Sequence, residues 1–387
     1  MTAEKEMNPK LDLPSSDTLK EPPKQMNAPV NVKDYETLAR CRLSHDAHEY
    51  YANGSADEIT LRENEEAWTR LRLCPRVLVD VSACDLRTTI LGRSVSMPIM
   101  TAPCALNAMA HPDGELGVAR ATSAAGVIQV LSMGSAFSLE EVVTAAPGPR
   151  WFQTYCMRDH GITRALAERA EAAGYAALCV TVDSPFDGLR ERERRANIQF
   201  RVPPPASRHA NFMPYLQGGS RDPSSEVFLY DPSLTWTGLD WLRGLTRLPL
   251  VLKGVLSPED ARLAVEHGVR GIVVSNHGGR QLDTAMTTCS ALPAVVDAVA
   301  GEAEVFVDGG IRRGTDVLKA LALGARAVLV GRPYLWGLAD GGESGVRRIL
   351  ELLREELRVS MALAGCPRIS DVKRGLIAAA LGPRGWT

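Results

Sequence analysis

The amino-acid sequence predicts an α/β fold, a (β/α)8 TIM barrel with N-terminal helices and a long loop after the fourth strand. Three observations support this prediction. The chain has 387 residues, a length at which such barrels occur as one domain. Eight short apolar runs recur along the chain, and a helical stretch punctuated by glycine follows each of them. Continuous apolar runs are typical of parallel strands that are buried on both faces.

The composition is that of a soluble globular enzyme. Apolar residues make up 45% of the chain and charged residues 23%, and the formal net charge of −2 predicts no basic surface for nucleic acid or an anionic membrane. No apolar run approaches the roughly 18 residues that span a bilayer, and residues 1–29 lack the apolar core of a signal peptide. We therefore expect a cytoplasmic protein without nucleic-acid or membrane partners.

Cysteine and histidine spacing predicts neither disulfides nor a metal site. The 8 cysteines are scattered without a CxxC pair, which favours free thiols in a reducing compartment. His45 and His48 lie one helical turn apart, but no third ligand is near them in the sequence. A solvated helix face is the better interpretation of that pair.

The N-terminal part of the chain precedes the barrel strands. Residues 1–30 are rich in proline and polar residues, and we predict a disordered tail there. Helices are predicted at 31–54 and 56–72, and the alternating segment 77–98 predicts a hairpin around Gly92. The barrel domain is expected to span 31–373, followed by a C-terminal tail over 374–387.

The eight predicted strands are followed by helices with recognisable caps. Ser257 precedes Pro258 at the first helical position and an acid at the third, and Ser138 with Glu141 forms a capping box. The last helix is predicted at 346–363. The predicted strands are 98–102, 127–131, 150–155, 177–182, 249–253, 271–275, 304–308 and 327–331.

One connection is much longer than the others. More than 60 residues separate the fourth predicted strand from the fifth, and they include three consecutive prolines at 203–205. Long loops in compact domains are usually functional, and this one leaves the C-terminal end of a strand, where TIM barrels have their active sites. We predict a mobile lid over about residues 184–233.

Polar residues collect where the predicted strands end. A single buried polar residue would be an ordinary structural group, but polar clusters after seven of eight strands indicate an active site on one rim. These residues are Ser132, Gln153, Tyr155, Thr181, Asp183, Lys253, Ser275, His277, Asp308 and Arg332.

A glycine-rich stretch follows the seventh predicted strand. Asp308, Gly309, Gly310, Ile311 and Arg312 precede a predicted helix, and Gly331 with Arg332 follows the eighth strand. Loops at these two places commonly bind phosphate through backbone amides and a helix N-terminus. The spacing predicts a phosphate site and leaves open whether the phosphate belongs to a substrate or a cofactor.

The stretch from Ser275 to Asp283 combines a base, His277, with two glycines and a cation, Arg280. This stretch resembles the signature of the FMN-dependent L-2-hydroxy acid oxidases and dehydrogenases, which include glycolate and lactate oxidases, mandelate dehydrogenase and hydroxymandelate oxidase. The similarity extends over about residues 32–367. It implies a TIM barrel that binds FMN and oxidises a 2-hydroxy acid.

The resemblance also implies a role for each site residue. His277 would be the catalytic base with Asp183 as its partner, and Tyr155 and Lys253 would assist. The substrate would meet Tyr50, Arg190, Arg280, Tyr155 and Gly134. The residues expected to bind FMN are Ala102, Pro103, Cys104, Ala105, Ser132, Gln153, Thr181, Lys253, Ser275, Asp308, Gly309, Gly310, Ile311, Arg312, Gly331 and Arg332.

One departure from the family bears on the substrate. Glycolate-type members have an aromatic residue where this chain has Gly134, and its loss should open the pocket to medium-chain or aromatic acids such as mandelate-like ones. Met133 or the lid could refill that space. No haem domain precedes the barrel, so the expected electron acceptor is molecular oxygen, and the resemblance implies a homo-oligomer, a tetramer or octamer.

Four alternatives remain open at this point. The enzyme could be a dehydrogenase that passes electrons to a quinone or a protein, or a short-chain oxidase acting on lactate or glycolate. It could also be a phosphate-binding barrel isomerase or lyase without flavin. A flavin-binding barrel without activity is the fourth, and the presence of His277, Arg280, Arg190 and Lys253 argues against it.

Overall fold

Eight parallel strands close into a barrel in the computed structural model, which describes residues 28–196, 209–215 and 230–378. The last strand pairs with the first, so the predicted TIM barrel is confirmed. A two-stranded hairpin precedes the barrel. The hairpin strands are β1 (Thr88–Ile90) and β2 (Arg93–Val95), and the barrel strands are β3 (Ile99–Thr101), β4 (Gln129–Ser132), β5 (Arg150–Thr154), β6 (Ala177–Thr181), β7 (Leu250–Val255), β8 (Gly271–Val274), β9 (Glu304–Val307) and β10 (Ala327–Val330).

Helices surround the barrel, and the predicted caps are present. Ser138 and Glu141 form the reciprocal capping box, and the Ser257 hydroxyl accepts from the amide of Asp260 at 3.0 Å. The helices are α1 (Val32–Arg42), α2 (His45–Ala52), α3 (Ile59–Arg70), α4 (Gly114–Ala125), α5 (Leu139–Ala145), α6 (His160–Ala172), α7 (Glu191–Ala196), α8 (Trp236–Gly244), α9 (Pro258–Glu266), α10 (Thr288–Val299), α11 (Gly314–Ala322) and α12 (Arg332–Leu363).

The N-terminal helices differ from the prediction in number. The predicted helix over 31–54 is two helices, because the Ser44 hydroxyl accepts from the amide of Ala47 at 3.2 Å and starts a new helix there. The next helix begins at Ile59 instead of residue 56, since Glu58 has a left-handed φ of 58°. The last helix begins at Arg332 and bends at Gly341 and Gly342, where the backbone is not helical.

The hairpin closes one end of the barrel. Antiparallel pairing covers only residues 88–95 of the predicted hairpin segment. The buried hairpin residues Ile90 and Val95 belong to the same apolar cluster as the strand residues inside the barrel. Trp151 and Phe306 lie at the centre of this cluster with their rings edge to face at 5.2 Å. The N-terminal end is therefore filled with apolar side chains, which leaves the opposite end for a ligand.

Strand periodicity places the predicted site residues above this apolar layer. Because alternate residues of a strand face the same side, a residue two positions beyond an inward apolar one also faces inward. The apolar layer consists of Met100, Val130, Trp151, Cys179, Val251, Val273, Phe306 and Leu329. The residues two positions farther along are Ala102, Ser132, Gln153, Thr181, Lys253, Ser275, Asp308 and Gly331.

Several predictions concern segments that lie wholly or partly outside the described residues. The predicted disordered tail, apart from residues 28–30, and the last residues of the C-terminal tail are among them. Of the predicted lid, residues 184–196, 209–215 and 230–233 are described, whereas 197–208 and 216–229 are not. Within the described part of the chain, no helix is long and apolar enough to cross a membrane.

Candidate active site

A cavity of about 890 Å³ lies at the C-terminal end of the barrel, within the size range of small-molecule pockets. The structure brings most of the predicted site residues into its wall: Tyr50, Ala102, Pro103, Cys104, Ala105, Ser132, Gly134, Tyr155, Arg190, Lys253, His277, Arg280, Asp308, Gly309, Gly310, Ile311, Arg312, Gly331 and Arg332.

Four predicted site residues are not among those that line this cavity. Asp183 and Ser275 are hydrogen-bonded to His277, and Ser275 also accepts from Lys253. Gln153 donates to the hydroxyl of Thr181 at 3.0 Å. These four residues support the wall from the second layer of side chains.

His277 sits on a sharply turned elbow after β8. It has a left-handed φ of 58°, as do Gly278 and Gly279 with φ of 63° and 75°, a conformation that costs a non-glycine residue about 1 kcal/mol. A Cβ on Gly279 would come within 2.6 Å of the amide of Leu61. The elbow therefore needs glycine where it passes α3, and this turn directs His277 into the cavity.

A buried amide pair holds the elbow against α3. The side chains of Asn276 and Asn64 exchange two hydrogen bonds of 2.8 and 2.9 Å, and Asn276 also accepts from the amide of Gly279. The carboxylate of Asp283 accepts from the first amides of α3 at Ile59 and Thr60. Asn64 was missed at the sequence level, because an asparagine within a polar helix gives no signal of this role.

His277 and Asp183 form a buried pair. Nδ1 of His277 lies 2.9 Å from Oδ1 of Asp183. Burial acts to raise the pKa of the Asp183 carboxyl, but His277 and Lys253 outweigh it and lower that pKa to about 2. Burial lowers the pKa of His277, and Asp183 opposes this shift without reversing it. The imidazole is therefore neutral at neutral pH, with its proton on Nδ1 and its Nε2 lone pair free to accept another.

Lys253 carries a fixed positive charge at the centre of the barrel. Its Nζ donates to the Ser275 hydroxyl at 3.0 Å and lies 3.3 Å from Oδ2 of Asp308. Burial acts to lower the pKa of Lys253, but the carboxylates of Asp308 and Asp183 outweigh burial and raise it. The ammonium group thus stays charged although only 4% of the residue is exposed.

Arg280 and Arg190 lie side by side at the cavity wall. Arg280 donates to the Tyr50 carbonyl at 2.6 Å and to Oε1 of Glu193 at 2.9 Å. Its Cζ lies 5.2 Å from the centroid of the Tyr50 ring, in a cation–π contact. Arg190 donates to the carbonyl of Arg280 and to the Gln281 side chain. Two guanidinium groups so arranged can bind one carboxylate through paired hydrogen bonds.

Glu193 is a member of this group that the sequence analysis missed. Its Oε1 accepts from Arg280 and its Oε2 lies 3.8 Å from Nη1 of Arg190, so one buried carboxylate faces both arginines. Asn53 donates to the same Oε1 at 2.9 Å. The alternating charges of α7 are typical of an exposed helix face, and the sequence around Glu193 therefore gave no sign of its burial.

The glycine-rich loop after β9 has the shape of an anion cradle. Gly309 and Gly310 have φ of 88° and 79°, and a Cβ on Gly310 would overlap the Asn64 backbone. Arg312 pairs with Glu65 at 2.7 Å, yet its buried Nε has no partner among the described residues. The unpaired Nε–H of Arg312 and the backbone amides of the two glycines could together bind a phosphate group.

Arg332, for which a phosphate contact is predicted, also has backbone partners. Its guanidinium donates to the carbonyls of Tyr51, Asn53 and Gly278 at 2.7 to 3.0 Å. Burial lowers the pKa of Arg332 to about 9, with Arg280 adding to the shift. In this structure Arg332 ties α2 to the elbow while it lines the same cavity.

The cradle can be tested by Gly310→Ala. The added methyl group meets the Asn64 backbone, so we expect the Kd for FMN to rise at least about tenfold, the equivalent of 1.4 kcal/mol. FMN titration followed by fluorescence measures this. Gly301→Ala is the matched control, because Gly301 also has a positive φ of 83° but no described atom lies within 4 Å of its Cβ position. Equal FMN affinity in both variants would contradict the cradle.

Tyr155 and Gly134 line the part of the cavity nearest the described lid residues. Tyr155 stacks on Tyr230 with ring centres 4.1 Å apart, and burial raises the pKa of its phenol, which remains a proton donor. A Cβ on Gly134 would lie 3.1 Å from Cβ of Ala105 and 4.0 Å from Nδ1 of His209. The space that Gly134 leaves is thus bounded by His209, which the sequence analysis did not single out.

One group of possible metal ligands exists among the described residues, although no metal site was predicted. Ligand atoms of Cys156, His160 and Asp231 lie within 4.8 Å of one another. His160 pairs with Asp231 at 2.9 Å, and burial raises the pKa of the Cys156 thiol to about 11. A protonated thiol beside a hydrogen-bonded pair of side chains is an ordinary structural contact.

Comparison with known proteins agrees with this geometry. A family model described as FMN-dependent dehydrogenase matches residues 39–379. An L-lactate oxidase of Nostoc sp. is 50% identical over 363 residues, which cover 90% of this chain and 97% of that relative. Glycolate oxidase 3 of Oryza sativa subsp. indica is 48% identical over 352 residues, covering 89% of this chain and 95% of that relative.

A solved structure shows the same similarity in three dimensions. The crystal structure of mandelate oxidase with (S)-2-phenylpropionate superposes with a TM-score of 0.82 and 44% sequence identity. The match covers 90% of this chain and 98% of that one.

Proposed function

Because the chain belongs to the family of FMN-dependent dehydrogenases, we propose that it oxidises an L-2-hydroxy acid to the 2-oxo acid and reduces O2 to hydrogen peroxide. The observation that supports this most directly is the neutral His277, held by Asp183, in the same cavity as the Arg280 and Arg190 pair. A proton acceptor beside a carboxylate-binding site is what oxidation at the carbon next to a carboxylate requires. The FMN-binding domain would be residues 31–373.

Each side chain has a defined part in this reaction. Arg280 and Arg190 bind the substrate carboxylate and so orient its Cα, while the Tyr155 phenol bonds to the hydroxyl. Nε2 of His277 accepts a proton, and Asp183 stabilises the imidazolium that forms. FMN, when bound, supplies the acceptor for the two electrons that leave the substrate.

The cofactor would be held by the residues that face it from the strand ends. Lys253 would offset negative charge on the bound flavin, and Ser132, Gln153 and Thr181 would bond to it. Asp308 to Arg312, Gly331 and Arg332 would hold the phosphate, and Ala102 to Ala105 would line the ring. Ser275 would contact the cofactor and would also hold Lys253 in place.

We propose medium-chain or aromatic substrates, such as mandelate-like acids. The absence of a side chain at Gly134 supports this. Short-chain acids are the second candidate, since the relatives named above include an L-lactate oxidase and a glycolate oxidase. Transfer of electrons to a quinone or a protein is the alternative to O2.

We also propose that the protein is cytoplasmic and forms a homo-oligomer. Sedimentation velocity measures the number of subunits.

Flavin bleaching tests the function. The purified holoenzyme is mixed anaerobically with L- and D-2-hydroxy acids of increasing size, and reduction is followed at the flavin absorbance bands. We expect L-enantiomers to bleach the flavin and medium-chain or aromatic ones to do so fastest. The reduced enzyme is then mixed with O2. Slow reoxidation would refute the oxidase assignment, and a colourless protein that binds no FMN would refute the flavin chemistry as a whole.

A further inference from the structure

A buried carboxyl group in the first turn of α4 joins two loops at the C-terminal end of the barrel. Glu115 is only 1% exposed. Its Oε1 accepts from the backbone amide of Asn107 at 2.9 Å, from the Asn107 side chain at 3.1 Å and from the backbone amide of Ala136 at 3.2 Å. Asn107 belongs to the loop after β3, and Ala136 belongs to the loop after the neighbouring strand β4. One carboxyl oxygen therefore holds both loops.

Both loops contribute to the wall of the active-site cavity, although Glu115 is not among the described residues that line it. The wall includes residues 102–106 from the first loop and 132–134 from the second. The Asn107 side chain also donates to the Cys104 carbonyl at 2.9 Å. Glu115 is thus connected, through Asn107, to the part of the wall that is expected to face FMN.

The loop after β3 is strained at Leu106, the residue before Asn107. Leu106 has a left-handed φ of 55°, which is unfavourable for a residue with a side chain and persists only where surrounding contacts hold it. Its amide donates to the Gly134 carbonyl at 3.1 Å, and its carbonyl accepts from the Tyr51 hydroxyl at 2.6 Å. Glu115 accepts from the next amide along the chain. Without this acceptor the buried amide of Asn107 would be unpaired, and the strained loop would be free to relax.

We propose that Glu115 is a positioning residue for FMN, which it affects through Asn107 and Ala136 by fixing the spacing between the two loops. The inference rests on the FMN binding in the proposed function. It adds a residue that lies outside both the cavity wall and the glycine-rich cradle. The role requires an acceptor oxygen at the right distance from two loops, and it does not require a negative charge.

The surroundings of Glu115 agree with a role that is independent of charge. Burial raises the pKa of the Glu115 carboxyl, and the bonds from Asn107 and Ala136 oppose this shift without reversing it. A neutral amide of the same shape can present the same acceptor oxygen to both loops. Glutamine should therefore replace Glu115 with little loss, whereas aspartate, which keeps the carboxyl group on a shorter side chain, should not.

Three substitutions at this position separate reach from charge. We expect the Kd for FMN, from fluorescence titration of the apoprotein, to stay within about threefold of the wild type in Glu115→Gln and to rise at least about tenfold in Glu115→Asp and Glu115→Ala. Visible circular dichroism of the bound flavin, which reports the surroundings of its ring, should be unchanged in the Gln variant and altered in the other two. An unchanged Kd in Glu115→Ala, or an equal rise in the Gln and Ala variants, overturns the proposal.

A matched control separates this role from general destabilisation. Glu304 also accepts a loop amide, that of Leu91 at 2.9 Å, but it lies at the start of β9 near the hairpin. Glu304→Ala should leave the Kd for FMN within about twofold of the wild type even where Tm falls. A loss of FMN affinity equal to that of Glu115→Ala would refute a positioning role.

The same measurements distinguish failure of this inference from failure of the proposed function. Tm of each apoprotein shows whether the variant is folded, and the Gln and Asp variants carry the test if Glu115→Ala does not fold. A wild-type protein that binds no FMN would refute the proposed function itself. FMN binding that does not depend on residue 115 refutes only the role of Glu115.

Discussion

Replacing His277 with Gln is expected to lower kcat about 1000-fold, while the protein keeps its FMN. Glutamine can occupy the elbow and bond to Asp183, but its amide cannot accept a proton near neutral pH. General-base catalysis by a positioned imidazole contributes about 10²- to 10⁴-fold to a rate.

Single-turnover reduction of the flavin by substrate under anaerobic conditions measures this step apart from reoxidation. FMN content from the visible spectrum shows whether the variant is loaded. His45→Gln serves as the matched control and should reduce its flavin at the wild-type rate, because His45 lies outside the cavity wall. Flavin reduction in His277→Gln within about tenfold of the wild type would remove His277 as the base.

The same histidine determines the acid limb of the pH profile. The free enzyme is active with His277 neutral, so kcat/KM should fall as the pH decreases through the pKa of His277. Burial lowers that pKa, which places the limb below the ordinary histidine value of about 6.5. Asp183, with a pKa of about 2, stays ionised throughout this range. An acid limb of log kcat/KM that lies above the ordinary histidine value of about 6.5 would contradict the assignment.

The barrel and the centre of the site could be predicted because both follow from strand periodicity. Buried parallel strands are apolar along their whole length, and polar residues at the C-terminal ends of barrel strands are therefore candidates for the site. Lys253 and Asp308 illustrate this, since each lies two positions beyond an inward-facing apolar residue. The glycines at 309 and 310 helped to predict the phosphate site, because their positive φ values are ones that residues with a side chain rarely adopt.

The residues that the sequence did not reveal lie on segments positioned by tertiary contacts. Glu193 lies in a run of alternating charges that an exposed short helix would also have, and the neighbouring arginines and Asn53 make its burial favourable. His209 follows three prolines in a long loop, and its place depends on Asn211 bonding to the loop after β4. No local pattern encodes either contact. The break at Ser44 was missed because helix-forming residues continue on both sides of it.

The arginine group should be sensitive to a change that preserves its charge. We expect Arg280→Lys to raise KM, lower kcat and reduce kcat/KM about 100-fold, because charge-assisted hydrogen bonds contribute about 1.5 to 3 kcal/mol each. An ammonium group cannot reach the Tyr50 carbonyl and Glu193 at once, as the guanidinium does. Steady-state kinetics on the best substrate of the panel measures both parameters.

Glu193 separates two explanations of that loss, because it also faces Arg190 and accepts from Asn53. If Arg280 orients the substrate, the double variant Arg280→Lys with Glu193→Gln should keep a low kcat/KM whether or not its thermal stability returns to the wild-type value. If Arg280 only supports the local structure, stability and kcat/KM should recover together. Arg192→Lys is the matched control, because Arg192 pairs with Glu49 and Glu58 away from the cavity wall and a partly exposed pair contributes at most about 1 kcal/mol. Unchanged kinetics in Arg280→Lys would mean that the substrate carboxylate binds elsewhere.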